Sequence, residues 1–292
     1  MIIDFHAHLW ARDDAEEAMA DIAARYGVDR ICVSAINSYV PDEEEVRALN
    51  ERTLRAMRKW PGLYVGFVYV NPKHGKAALR TIDEAVAVGM AGVKLWTSCY
   101  ADDPSVFPIA EKAIELGLPV LQHAWRKWTG NLPTESDPRH VARLAECCPD
   151  LKVCMAHIGG DWEYGIKAIR HCPNVCVDTS GSLAHTGMLE MAINELGSER
   201  VVWGTDMPGA DFLYTYAKVA NAPLPPRTKE RILSANAQRL LGWARWPATS
   251  AGSSEVAPRR GSPGARAPAQ PAHPPATRCR PAGGRTAGKR AG

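Results

Sequence analysis

The sequence predicts a closed (β/α)8 TIM barrel over residues 1–246, a single domain, followed by a disordered Pro/Ala/Gly/Arg-rich tail at 247–292. Three observations predict it. Eight short runs are rich in β-branched and apolar residues, a stretch of helical periodicity follows nearly every one, and the whole alternation fits in about 240 residues. Strand and helix in alternation imply parallel strands, and eight such units in this length fit a barrel better than an open sheet. A doubly wound sheet is the alternative, but no Gly-rich phosphate loop follows any strand, as such folds often show.

In chain order the strand candidates are MIIDFHAH, RICVSAI, LYVGFVYVN, AGVKLW, PVLQHA, KVCMAHI, NVCVDTS and RVVWGTD. Between them lie DDAEEAMADIAARYG, DEEEVRALNERTLRAMRKW, GKAALRTIDEAVAVG, FPIAEKAIELG, DPRHVARLAECC, DWEYGIKAIRHC and HTGMLEMAINELG, several closing on a glycine that tolerates the left-handed helix end. PRTKERILSANAQRLLGW supplies a closing helix after the eighth strand.

Composition sets the outer limits. With 46% hydrophobic and 23% charged residues in 292, the chain can bury a core. It shows no basic leader and no apolar run near the roughly 18 residues of a membrane span, so a cytoplasmic protein without a membrane partner is expected. Eight cysteines are too sparse for a disulfide scaffold; Cys32, Cys147, Cys148, Cys154 and Cys176 sit in or beside apolar segments and read as reduced, packed thiols. Cys172 and Cys176 have no second pair to complete a zinc pattern. The net charge of +3 divides unevenly, with eight Lys and Arg against Glu255 after residue 246 and a mildly acidic body before it. The tail has no aromatic residue to stack on a base, so it reads as a solvated extension and not a nucleic-acid arm.

Function should sit where the barrel strands end. On the first strand His6 and His8 are two positions apart, so their side chains leave the same face. An HxH pair alone is a weak signal. His123 ends the fifth strand, His157 the sixth and Asp206 the eighth. Singly, each histidine could be a hydrogen-bonded core residue and Asp206 a helix cap. Together on one rim, three imidazoles and a carboxylate suit Zn²⁺ or another borderline divalent ion, with the fourth imidazole beside it.

The pieces DFHAH, GVKLW, LQHA, AHIGG, DTSG, GTDMP and NAQRLLG resemble the amidohydrolase superfamily, in particular its amidohydrolase-related branch of decarboxylases and hydrolases typified by aminocarboxymuconate-semialdehyde decarboxylase. The resemblance runs over nearly all of residues 1–246 and leaves the tail unmatched. It implies that His6, His8, His123 and Asp206 bind the catalytic metal, with His157 near the bound water or a second metal, and that His157 and Asp206 carry protons. Zn²⁺ is expected before Mn²⁺, one ion per chain before two. A strand-four lysine is carboxylated in binuclear members, and Lys94 has a similar address; an unmodified Lys94, structural or facing substrate, is preferred because a carbamate needs two metals to hold it. Trp96, Trp125 and Arg126, with Lys127 and Trp128, surround the mouth and would suit a planar acidic small molecule, although the tryptophans could equally pack their own loop. Asp178 reads as an orienting or a purely structural residue. The expected activity is metal-dependent hydrolysis of a C–O or C–N bond. Non-oxidative decarboxylation of a small unsaturated or aromatic acid is second, a non-catalytic binding barrel third, and a homodimer is implied by the resemblance alone.

Overall fold

A computed structural model of the chain describes residues 1–10, 12–181, 183–243 and residue 279. The strands are β1 (Ile3–Leu9), β2 (Arg30–Ala35), β3 (Tyr64–Tyr69), β4 (Gly92–Leu95), β5 (Val120–Gln122), β6 (Val153–Met155), β7 (Val175–Asp178) and β8 (Val201–Val202). All pair in parallel, in the order β1 to β8. Between them run α1 (Ala15–Tyr26), α2 (Glu43–Lys59), α3 (Lys76–Ala87), α4 (Val106–Glu115), α5 (Pro138–Cys147), α6 (Trp162–Ile169) and α7 (Met188–Leu196), followed by α8 (Phe212–Ala220). The expected (β/α)8 barrel is therefore the observed one. The predicted closing helix is broken into α9 (Pro226–Glu230), a π-helical turn at Arg231–Ala235, and α10 (Asn236–Leu240).

The last segment of sheet closes on the first through backbone and side chain together. Phe5 N donates to Trp203 O at 3.0 Å, Asp206 N to His6 O at 2.7 Å and His8 N to Met207 O at 2.7 Å. Asp4, fully buried, accepts from Thr205 N at 2.9 Å and Thr205 Oγ1 at 2.6 Å, so one carboxyl ties the start of β1 to the chain beyond β8. Burial pushes that carboxyl up to about 7, against the lowering effect of the Thr205 hydrogen bonds.

Alternation along the strands divides the core into two shells. Ile3, Phe5, Cys32, Val65, Phe67, Leu121, Cys154, Cys176 and Val202 fill the barrel interior, and Ala237 and Leu240 of α10 pack against the same cluster. Their neighbours one residue along, such as Ile31, Val33, Val93, Val153 and Val177, pack outward against the helices. Strict alternation from Ile3 and Phe5 would send Ala7 and Leu9 inward and the two histidines out. Instead β1 carries one extra residue between Asp4 and Ala7 relative to β2, and Ala7 and Leu9 lie in the outer shell. This bulge re-phases the strand and turns His6 and His8 to the inside.

At the opposite end of the barrel, the Arg200 guanidinium gathers the carbonyls of Val175, Ile169 and Cys172 at 2.6, 2.9 and 2.7 Å. One cysteine departs from expectation. Cys148, read as a reduced packed thiol, is disulfide-bonded to Cys279, 131 positions away. Local spacing does not show a pairing made only by the fold, and Cys279 lies in the segment expected to be disordered. The six other cysteines are free and buried, as expected. The disorder predicted for 247–292 otherwise falls outside the described residues. Among the described residues, no helix is long and apolar enough to cross a membrane.

Candidate metal centre

Each strand-end histidine is moored by one ring nitrogen and free at the other. His6 Nδ1 lies 2.8 Å from Asp178 Oδ2, and His8 Nδ1 lies 3.1 Å from the Ser34 carbonyl oxygen. A carbonyl or carboxylate oxygen only accepts, so both Nδ1 atoms carry the proton and both Nε2 atoms are bare. The Ser180 hydroxyl donates its single proton to Asp178 Oδ1, so His157 Nδ1, 2.9 Å from Ser180 Oγ, donates to it. His157 Nε2 is then bare as well. His123 is turned the other way round: its Nε2 meets Glu135 Oε1 at 2.9 Å, and its Nδ1 is 3.3 Å from His157 Nε2.

The bare nitrogens of His6, His8 and His157 converge with Asp206. His6 Nε2 and His8 Nε2 are 2.9 Å apart, and each is 3.5 Å from Asp206 Oδ1. His6, His157 and Asp206 each offer a donor atom within 4.8 Å of the other two. Two lone pairs facing each other at hydrogen-bond distance have no hydrogen between them, an arrangement that a cation stabilises. Nitrogen and carboxylate donors in this number suit a borderline divalent ion, so the residues present fit the expected group. The buried ammonium of Lys94 adds one positive charge beside them, its Nζ 3.3 Å from His6 Nε2.

Electrostatics keeps the rings neutral. Burial pushes His6 and His8 well below the usual histidine range, and the Lys94 charge adds to it. His157 is lowered well below that range by burial and by His6; His123 is lowered by burial, though Glu135 opposes. Burial likewise raises the Asp206 carboxyl and lowers the Lys94 ammonium, each opposed by the charge of the other. Burial would also raise Glu135, but hydrogen bonds from His123, Lys127 and Leu132 N outweigh it and hold the carboxyl at about 2.

Local backbone explains the aim of two of these groups. Asp206 and His157 have φ of 65° and 59°, the left-handed region that costs an ordinary residue about 1 kcal/mol. Such outliers persist only where the surroundings impose them. Gly204 has no side chain because a Cβ there would meet His6 Cβ at 2.8 Å.

The expected mouth residues separate. The Trp125 ring lies 4.6 Å from that of His157 and walls the cluster. Trp96 packs near Tyr39 at 5.1 Å, and the Arg126 guanidinium sits 3.9 Å above the Tyr164 ring, beside Asp161. Trp128 is 94% exposed, and Lys127 turns back onto Glu135. Lys94 lies inside the cluster, its Nζ against His6 Nε2. Ser34, Glu135 and Ser180 escaped the sequence reading: DTSG was noted as a motif without singling out its serine, and Glu135 lies in a loop with no periodicity to mark it.

Comparison with known proteins gives three kinds of likeness. A family model described as Amidohydrolase matches residues 3–243. A 2-amino-3-carboxymuconate-6-semialdehyde decarboxylase of Dictyostelium discoideum is 25% identical over 234 residues, 66% of this chain; the chain spans 65% of that relative's length. Among solved structures, a 2,6-dihydroxybenzoate decarboxylase from Rhizobium superposes with a TM-score of 0.67 at 16% identity, covering 82% of this chain and 98% of the other. A dihydroxybenzoic acid decarboxylase from a Polaromonas species, with bound manganese and the inhibitor 2-nitroresorcinol, gives a TM-score of 0.68 at 17% identity, covering 84% and 98%.

Proposed function

From the premise that this chain belongs to the amidohydrolase family, we propose that it is a metal-dependent non-oxidative decarboxylase of a small unsaturated or aromatic carboxylic acid. His6, His8, His123 and Asp206 hold one divalent ion in this reading. The observation that carries it is the pair of bare nitrogens on His6 and His8, 2.9 Å apart and each 3.5 Å from the Asp206 carboxylate. Support for carbon dioxide loss over the expected hydrolysis comes from the Dictyostelium relative, whose name is that of a decarboxylase. Both reactions use the same residues, which is why sequence alone does not separate them.

When bound, the ion supplies Lewis-acid polarisation of a substrate oxygen next to the reacting carbon. Lys94, dry and adjacent, adds positive charge for an acidic substrate. Trp125, its ring 4.6 Å from that of His157, presents a flat apolar face to a planar substrate beside it. The bond between the substrate carbon and its carboxylate breaks, carbon dioxide leaves, and the electron pair stays on carbon. His157, held by Ser180 at Nδ1, takes a proton from solvent on its bare Nε2 and passes it to that carbon, which returns the ring to its neutral form.

The test is a panel of muconate-type and aromatic acids, lactones and amides in ²H₂O, with metal analysis of the purified chain. Carbon dioxide release, one deuterium at the vacated carbon and one equivalent of metal are expected. Acid release from lactones or amides without carbon dioxide returns the hydrolase, and two equivalents of metal revive a carboxylated Lys94.

A further inference from the structure

Glu135 is 2% exposed in the loop between β5 and α5, outside the helix and strand registers on either side. A buried carboxylate costs several kilocalories per mole unless it is paired and hydrogen-bonded. Here every lone-pair direction is used: Oε1 faces His123 Nε2 at 2.9 Å and Lys127 Nζ at 2.8 Å, and Oε2 faces Lys127 Nζ at 2.9 Å and Leu132 N at 2.9 Å. Lys127 offsets the charge from eight residues upstream. The turn that aims Glu135 inward is itself imposed, since Thr134 has φ of 61° and its hydroxyl donates to the Thr97 carbonyl at 2.5 Å. A salt bridge between Lys127 and Glu135 alone would form as well in water. What the burial adds is the contact to His123.

We propose that Glu135 is a positioning residue of the metal centre: it fixes His123 as the Nε2–H tautomer, so His123 presents Nδ1 to the ion, while His6 and His8 present Nε2. Only one ring nitrogen of a neutral imidazole carries the proton, and a carboxylate can only accept, so the Glu135 contact decides which nitrogen is bare. Nδ1 is the ring nitrogen closer to the backbone. His123 lies one residue past the end of β5, with its Nδ1 turned to His157 Nε2 at 3.3 Å. Asp178, the last residue of β7, does the same for His6 through the opposite nitrogen, so two carboxylates decide which nitrogen each of these rings presents.

The inference rests on the metal-centre reading, and the experiment separates the two. The full chain is stripped of metal, and Zn²⁺ affinity is measured by competition with a chromophoric chelator. Wild type, Glu135→Gln, His123→Ala and the double variant Glu135→Gln/His123→Ala are compared, with thermal unfolding of each stripped protein. Glu135→Gln should weaken Zn²⁺ binding by about 10–100-fold and leave the melting temperature of the stripped protein near wild type. In the His123→Ala background the same change should have almost no further effect, because the two act as one unit. Wild-type affinity in Glu135→Gln, or effects that multiply in the double variant, overturns the role of Glu135 while leaving the metal centre intact. Absence of Zn²⁺ binding in the wild type overturns the metal centre, and this role with it. Should Glu135→Gln strand the Lys127 charge and fail to fold, Glu135→Gln/Lys127→Met removes both charges and is read the same way.

Discussion

Replacing His8 with alanine deletes one of two bare nitrogens 2.9 Å apart and leaves its mooring, the Ser34 carbonyl, to water or a neighbour. Loss of metal affinity by more than about 100-fold is expected in chelator competition, beyond the 10–100-fold typical of an outer partner; affinity within tenfold of wild type would remove His8 from the donor set. Gly204→Ala tests the same site from behind. The new Cβ would meet His6 Cβ at 2.8 Å, so the ring must move, and a destabilisation of about 1–3 kcal/mol by urea unfolding is expected together with weakened metal binding. At this scale the polar residues ending apolar runs were legible, because His6, His8, His123, His157 and Asp206 interrupt patterns that are otherwise greasy. Their moorings were not. His6 and Asp178 are 172 positions apart, and their meeting is a product of barrel closure that no local pattern carries. Glu135 is only 12 positions from His123, but its approach depends on a left-handed Thr134 that nothing in TESDP announces.

Among the elements, α8 carries a titration. Lys218 donates to the carbonyls of Thr179 and Gly181, fastening this helix to the loop after β7. Burial lowers its ammonium to about 8, against the charges of Asp178 and Asp206. Between pH 8 and the ordinary lysine value, the unfolded chain keeps a proton that the folded chain has lost, so stability rises with pH in that window. The rise is bounded at about 1.4 kcal/mol per pH unit. Unfolding free energies of wild type minus Lys218→Met should climb from pH 8 to 10 and be flat from pH 6 to 7.5; a flat difference throughout would show that Lys218 titrates normally. The strands are legible because each is a short apolar run, and all eight appear in order. The bulge in β1 was not readable: HAH predicts a shared face, but which face depends on one extra residue against β2. The closing helix reads as continuous because the π-helical turn, RILSA, carries no Gly or Pro to mark it.

For the molecule as a whole, the barrel was legible from the count of strand–helix units, whereas the join between Cys148 and Cys279 was not, since pairing across 131 positions is settled by the fold alone. Peptide mapping without reductant should recover a linked pair of fragments containing these two residues, and mapping after reduction should release both; two separately alkylated cysteines in unreduced protein would refute the bond. The moored rings have a consequence on this scale too. Because His6, His8, His123 and His157 are held by Asp178, Ser34, Glu135 and Ser180, the four rings are oriented by the protein's own hydrogen bonds. Little side-chain freedom is left to surrender on loading, so tight retention follows without refolding. A rigid cage of nitrogens and one carboxylate discriminates poorly by shape among similar divalent ions, and the natural affinity series then ranks them. The ion found in a preparation should track the supply during expression, and exchanging it should alter turnover while the fold stays as it was.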